Sequence, residues 1–184
     1  MKVIVEDYNP LWAVQFQHVK DELEECLEGV SYLSIEHVGS TAVPGLAAKP
    51  LLDIDIVITR AQLPAVIEAL TKKGGYEYKG DWGIPEREAF RQKGAEPARN
   101  LYACIEGSTS LRNHLAVRDI CRKDEKVREA YAKEKRRLAA REWRDVDEYC
   151  EAKNDVLIWV LEQAGFATPD LEEIRRRNTA LDGS

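Results

Sequence analysis

Apolar residues recur at spacings of three and four near the start of the chain: Trp12, Phe16, Val19, Leu23 and Leu27. That period predicts a helix. Asn9 can cap it, Pro10 suits its first position, and Gly29 can end it. Residues 30–38 read as a strand, and 39–49, rich in Gly, Pro and Ala, as a loop or short helix. In 50–58 the uncharged positions are nearly all apolar and include Ile and Val, which predicts a strand buried on both faces. Leu63, Val66, Ile67 and Leu70 mark a second helix closed by Gly74-Gly75. Short strands follow around 76–79, 89–93 and 100–106, separated by the turn signals Asp81-Trp82-Gly83 and Gly94-Ala95-Glu96-Pro97. Past Gly107 the periodicity is helical over 109–121, 125–141 and 147–164, and a terminal helix starts at Thr168-Pro169 and frays over 178–184. This order predicts an α/β (α+β) fold: a small mixed β-sheet flanked by helices, with a helical C-terminal third. One domain is expected over 1–165, helical from about 109, followed by a helix and tail over 166–184.

With 184 residues, 44% hydrophobic and 33% charged, the chain has an ordinary globular balance and is not disordered throughout. Its four cysteines, Cys26, Cys104, Cys121 and Cys150, form no CxxC clip, and His18, His37 and His114 show no metal-ligand spacing. A secreted disulfide framework and a zinc knuckle are therefore not expected, and a reduced, cytoplasmic protein is. The first residues lack a signal-peptide pattern, and no apolar run approaches the ~20 residues of a membrane span. A net charge of −6 argues against broad nucleic-acid binding. Within this acidic chain, 122–144 carries ten basic and five acidic residues, a solvated helix face or an attractor of anions.

Asp53 and Asp55 stand two apart on the strongest strand, so their side chains leave one face, with Cα atoms ~6.5–7 Å apart. Two carboxylates that close repel one another and need a counter-charge. Mg²⁺ meets that need, since it is commonly held by one or two carboxylates plus substrate phosphates. The alternative is one strand-end Asp and one paired with Lys49 or an arginine. Gly39-Ser40 follows a strand and opens toward a helix, a turn that presents backbone N–H groups and a hydroxyl to a phosphate. Alternatively, Ser40 or Thr41 is an N-cap. The two motifs are complementary, one suited to a triphosphate and the other to its metal.

Gly39-Ser40, twelve intervening residues and Asp53-Ile54-Asp55 resemble the signature of the nucleotidyltransferase superfamily, the polymerase-beta-like fold. The longer run from His37 to Asp55, with Val43-Pro44-Gly45-Leu46 and Lys49-Pro50, resembles the GrpB family of small nucleotidyltransferase-like proteins. Asn113-His114-Leu115 with Arg118-Asp119 is similar to the family's downstream block. Tyr131, Lys135, Leu138, Tyr149 and Lys153 are similar to its C-terminal helices. The resemblance covers roughly residues 5–165.

It implies transfer of a nucleoside monophosphate from a nucleoside triphosphate to an acceptor oxygen, with Mg²⁺ or Mn²⁺ as cofactor. Gly39 and Ser40 would hold phosphates and Asp53 and Asp55 the metal. A third carboxylate from a later strand, Glu106, would complete the catalytic and metal-binding set. The acceptor is unidentified, and a small molecule is expected. Lys49, His37, Arg91, His114, Arg118 and Lys153 are further candidates for nucleotide or phosphate binding. Each has a structural alternative: Lys49 neutralising the aspartates, His37 buried in the fold, Arg91 a sheet-edge charge, His114 and Arg118 in an ion-pair network, Lys153 reaching outward. The rival to an enzyme is a catalytically silent nucleotide-binding or protein-interaction domain that keeps the fold.

Overall fold

The computed structural model describes residues 2–180, and only the backbone of 146, 147, 169 and 177–180. Helix α1 (Leu11–Cys26) starts where the Asn9 side chain accepts the Leu11 N–H at 3.0 Å, and it buries Trp12, Val19, Leu23 and Cys26. The strands are β1 (Ser34–Val38), β2 (Leu52–Ile58), β3 (Glu77–Gly80), β4 (Arg87–Arg91) and β5 (Arg99–Ile105), with α2 (Leu63–Lys72) between β2 and β3. They form one sheet in the order β1-β2-β5-β4-β3. Only β2 and β5 run parallel. The long connection such a pair requires is supplied by α2 and the β3–β4 hairpin. β1 is shorter than the pattern suggested, because the Val30 N–H turns back to the Leu27 carbonyl and residues 30–33 serve as the exit from α1.

The pleat sorts side chains onto two faces. Ile35, Leu52, Ile54, Ile56, Ile58, Leu101 and Phe90 pack against α1 and α2 in the larger core. The opposite face carries Val38, Asp53, Asp55, Val57, Tyr102 and Cys104 and is covered by the helical third. That third consists of α3 (Thr109–Lys123), α4 (Glu125–Ala139), α5 (Val146–Ala152), α6 (Asn154–Gln163) and α7 (Thr168–Ala180). Ser108, Asp124 and Asp145 accept first-turn N–H groups and cap α3, α4 and α5. Val127, Tyr131, Leu138, Ile158 and Leu161 are buried, and most join Val43, Leu46 and Ala47 of the β1–β2 loop in a second core.

The single helix expected over 147–164 is two helices. At Lys153 the N–H bonds three residues back, to the Cys150 carbonyl, and the tightened turn separates α5 from α6. Residues 181–184 of the expected tail lie outside the described residues. Among the described residues no helix is long and apolar enough to cross a membrane, and all four cysteines are free.

Candidate functional site: a cleft between the sheet and the helical third

β1 ends at Val38, and the chain turns through Gly39 at φ 69°, ψ −171°, a conformation open essentially to glycine alone. A Cβ there would stand 2.3 Å from Asp53 Oδ2. Only a missing side chain lets the phosphate-type loop touch the carboxylate strand. Three devices hold the loop. The Thr41 hydroxyl gives its one proton to the Leu51 carbonyl, so it accepts from His37 Nε2 at 3.0 Å. Arg122 places Nε and Nη2 on the Ala42 carbonyl at 3.0 and 2.8 Å. Lys135, buried in α4, donates to the Ala47 carbonyl at 2.7 Å, and burial pulls its ammonium pKa down to about 7.

Asp53 is half-buried. Its Oδ1 accepts from Asn100 Nδ2 at 2.7 Å, and Arg91 in turn donates to Asn100 Oδ1. Burial raises the Asp53 pKa against the opposing pull of Asn100 and His114. Asp55 is fully buried: Oδ2 accepts from His114 Nδ1 at 2.7 Å, while among the described residues Oδ1 has no hydrogen-bond partner. Burial acts to lower the His114 pKa, but the charge and hydrogen bond of Asp55 outweigh it and raise the pKa overall. Cys104 lies beside this pair, and the ligand atoms of Asp55, Cys104 and His114 all fall within 4.8 Å of one another. Burial drives the Cys104 thiol pKa well above its ordinary value. No spacing of cysteines or histidines announced this trio, since its members come from β2, β5 and α3.

A cleft of about 280 Å³ opens above these groups. Gly39, Ser40, Asp53, His114 and Lys153 line it, drawn from four separate parts of the chain. Ser40 and the Tyr131 ring of α4 line it together, and Lys153 reaches in from the α5–α6 break with its ammonium 4.8 Å from the centre of the Tyr149 ring.

The other candidates lie elsewhere. Glu106 is exposed one residue past β5; the positions beside Asp53 and Asp55 on that strand are Asn100 and Tyr102. The expected third carboxylate is therefore not brought to the site, because the parallel register sets Glu106 beyond the end of β2. His37 points to the opposite face of the sheet and stacks on Phe16 at 4.6 Å. Lys49 is exposed. Arg91 lies over the Trp82 ring, and Arg118 is held by Glu36, Asp119 and the His37 carbonyl. Sequence reasoning missed Arg87, Asn100, Tyr102 and Tyr131 as site residues. For Arg87 the only available signal was its parity with Ala89 and Arg91, and the predicted strand began too late to use it.

A sequence profile described as GrpB protein matches residues 2–163. The chain belongs to the GrpB family. Its relatives include the UPF0157 protein BH1888 of Halalkalibacterium halodurans, 34% identical over 161 residues, 86% of this chain and 80% of the relative. The UPF0157 protein SCO7215 of Streptomyces coelicolor is 30% identical over 174 residues, 91% of this chain and 87% of the relative. The crystal structure of the conserved protein GrpB from Enterococcus faecalis superposes with a TM-score of 0.76 at 26% identity, covering 93% of this chain and 99% of that one. In the GrpB fold seen here the Gly-Ser turn packs on the Asp-x-Asp strand of a mixed sheet.

The donor set fits one hard divalent ion. Asp55 Oδ1 is a buried carboxylate oxygen with no hydrogen-bond partner among the described residues, and Asp53 Oδ2 faces the Gly39 turn. A pair of such ions is less well served, because Asn100 lies beside Asp53 on β5 and Glu36, beside Asp55 on β1, is already paired with Arg118 at 2.8 Å.

Proposed function

We propose that this chain binds a nucleoside triphosphate together with one divalent cation, Mg²⁺ or Mn²⁺, and that it lacks the three-carboxylate transfer machinery. The contact between Gly39 and Asp53 carries this reading, since it joins the phosphate turn to the metal-binding strand. The turn offers its N–H groups and the Ser40 hydroxyl to phosphate oxygens, and Lys153 offers a cation from the helical side. Asp53 and Asp55 would hold the ion, which would neutralise phosphate charge.

A second reading is favoured by one observation. His114 is held through Nδ1 by Asp55, leaves Nε2 as its remaining ring nitrogen, and lines the cleft. In that position it could accept the proton of an acceptor hydroxyl, replacing the expected Glu106, and the domain would transfer a nucleotide to a small molecule.

Thermal unfolding with and without nucleotide and Mg²⁺ tests the first reading, since a ligand at 100 times its Kd stabilises by about 2.7 kcal/mol. Mg²⁺-dependent stabilisation is expected in the wild type and is expected to be lost in Gly39→Ala and Asp53→Asn. Equal stabilisation of both variants and wild type would defeat the assignment. Pyrophosphate release from a metabolite pool, abolished by His114→Gln but kept by Glu106→Gln, would establish the second reading instead.

A further inference from the structure

Arg87 begins β4, two strands from Asp55, directly opposite Cys104 and so on the cleft face of the sheet. It is only 9% exposed and lines the cleft. Among the described residues its guanidinium makes no hydrogen bond or ion pair, and its Nε is buried without a partner. Its guanidinium carbon lies over the Tyr102 ring, 4.4 Å from the ring centre. A buried cation with no hydrogen-bonded counter-charge is costly, and a fold retains one most readily where an anion comes to it. Arg87 also has company. The first turn of α3 opens onto the same cleft, bringing Thr109 and Ser110 with their hydroxyls, and first-turn N–H groups have no partner within the helix.

The Gly39–Ser40 turn lies at the far side of this arrangement. From β1 to β4 is three strand spacings, roughly 14 Å. A triphosphate anchored at Gly39–Ser40 and on the aspartates leaves the Arg87 end of the cleft to another group.

We propose that Arg87 and the first turn of α3 form a second anion site, which takes the phosphate or carboxylate of a second ligand while the triphosphate occupies the Gly39–Ser40 end. The guanidinium fork grips two oxygens of such a group in parallel, and the Thr109 and Ser110 hydroxyls stand ready for the remainder. This rests on the nucleotide reading only for what fills the other end. It narrows the second ligand to a small acidic molecule.

Calorimetric titration of inorganic phosphate, and separately of acetate, tests it on the whole chain, first alone and then saturated with Mg²⁺ and α,β-methylene ATP. The nucleotide-loaded protein is expected to bind at least one of the two anions, and the tighter of them identifies the group. Arg87→Met is expected to weaken that binding about tenfold or more and Arg87→Lys by less, with nucleotide affinity within twofold of wild type. Arg87→Met is also expected to raise the melting temperature of the free protein by about 2–4 °C, since an unpaired buried charge is gone.

Full competition between anion and nucleotide, or an equal loss of both in Arg87→Met, would place Arg87 in the triphosphate site and overturn the proposal. So would anion binding indifferent to Arg87, or a lower melting temperature with anion binding unchanged, which would make Arg87 a packing residue on Tyr102. If the nucleotide fails to bind at all, the nucleotide reading falls. The titration of the free protein then decides this one, through loss of anion binding in Arg87→Met but not in Ser40→Ala.

Discussion

His37 shows how a single side chain can stand two residues from the Gly39–Ser40 cleft turn and face away from the cleft. Pleat alternation sends it to the α1 side, where it stacks on Phe16 and braces Thr41. Burial, with help from Arg122 and Arg118, lowers its pKa to about 4 from 6.5. The unfolded chain therefore takes up a proton between these values while the native state does not. Stability contributed by neutral His37 is complete above about pH 6.5 and is lost as pH falls toward 4, by about 3 kcal/mol over the interval. His37→Gln, which keeps a donor for Thr41, is expected to flatten this limb of the stability–pH curve. Denaturant unfolding from pH 7 to 4 measures it, and parallel curves for the two proteins would show that His37 is not the group responsible.

Among the elements, β5 decides the chemistry of β2. Its register sets Asn100 beside Asp53 and Tyr102 beside Asp55, so an amide occupies the β5 position from which a carboxylate would reach Asp53. Asn100→Asp supplies that carboxylate. Asp53 Oδ1 then loses its donor and gains a like charge, and the free protein is expected to lose about 1–3 kcal/mol. Divalent-ion affinity is expected to rise at the same time, with Arg91 close enough to pair with the new acid. Denaturation with and without Mn²⁺ reads both effects; a variant destabilised equally in each condition would show that position 100 does not face the ion. Two aspartates on one strand face were legible because the pleat is a local rule. Their neighbour on β5 was not, since Asn100 and Glu106 share a face and pairing alone chooses between them.

Across the whole molecule, the helical third holds the β1–β2 loop in place as well as covering the sheet. Arg122 of α3 and Lys135 of α4 donate to carbonyls at either end of the 42–47 segment, whose apolar residues Val43, Leu46 and Ala47 are buried among the helices. Removing the Arg122 hydrogen bonds is expected to cost about 1–3 kcal/mol, because the Ala42 carbonyl keeps no other bond of that strength. Triphosphate affinity is expected to fall several-fold in Arg122→Ala, although Arg122 does not line the cleft, with partial recovery in Arg122→Lys. Calorimetric titration beside denaturant unfolding separates the two effects, and unchanged affinity in a destabilised variant would show that the turn holds its shape without α3.

The amino-acid sequence alone determined what short-range physics governs. It placed α1 behind Asn9 and Pro10, the glycine at the end of β1, two carboxylates on one face of β2, and a helical texture after Gly107. Each follows from a period, a cap or a backbone preference within a few residues. Only the tertiary structure decided which groups meet. It turned His37 away, left Glu106 past the end of its strand, brought His114 to Asp55 across 59 positions, and set Arg87 unpaired at the far end of the cleft. Those outcomes depend on strand register and on how the helices lie on the sheet. Both are set by burying the two faces of β2 at once, a condition that no local stretch of sequence expresses.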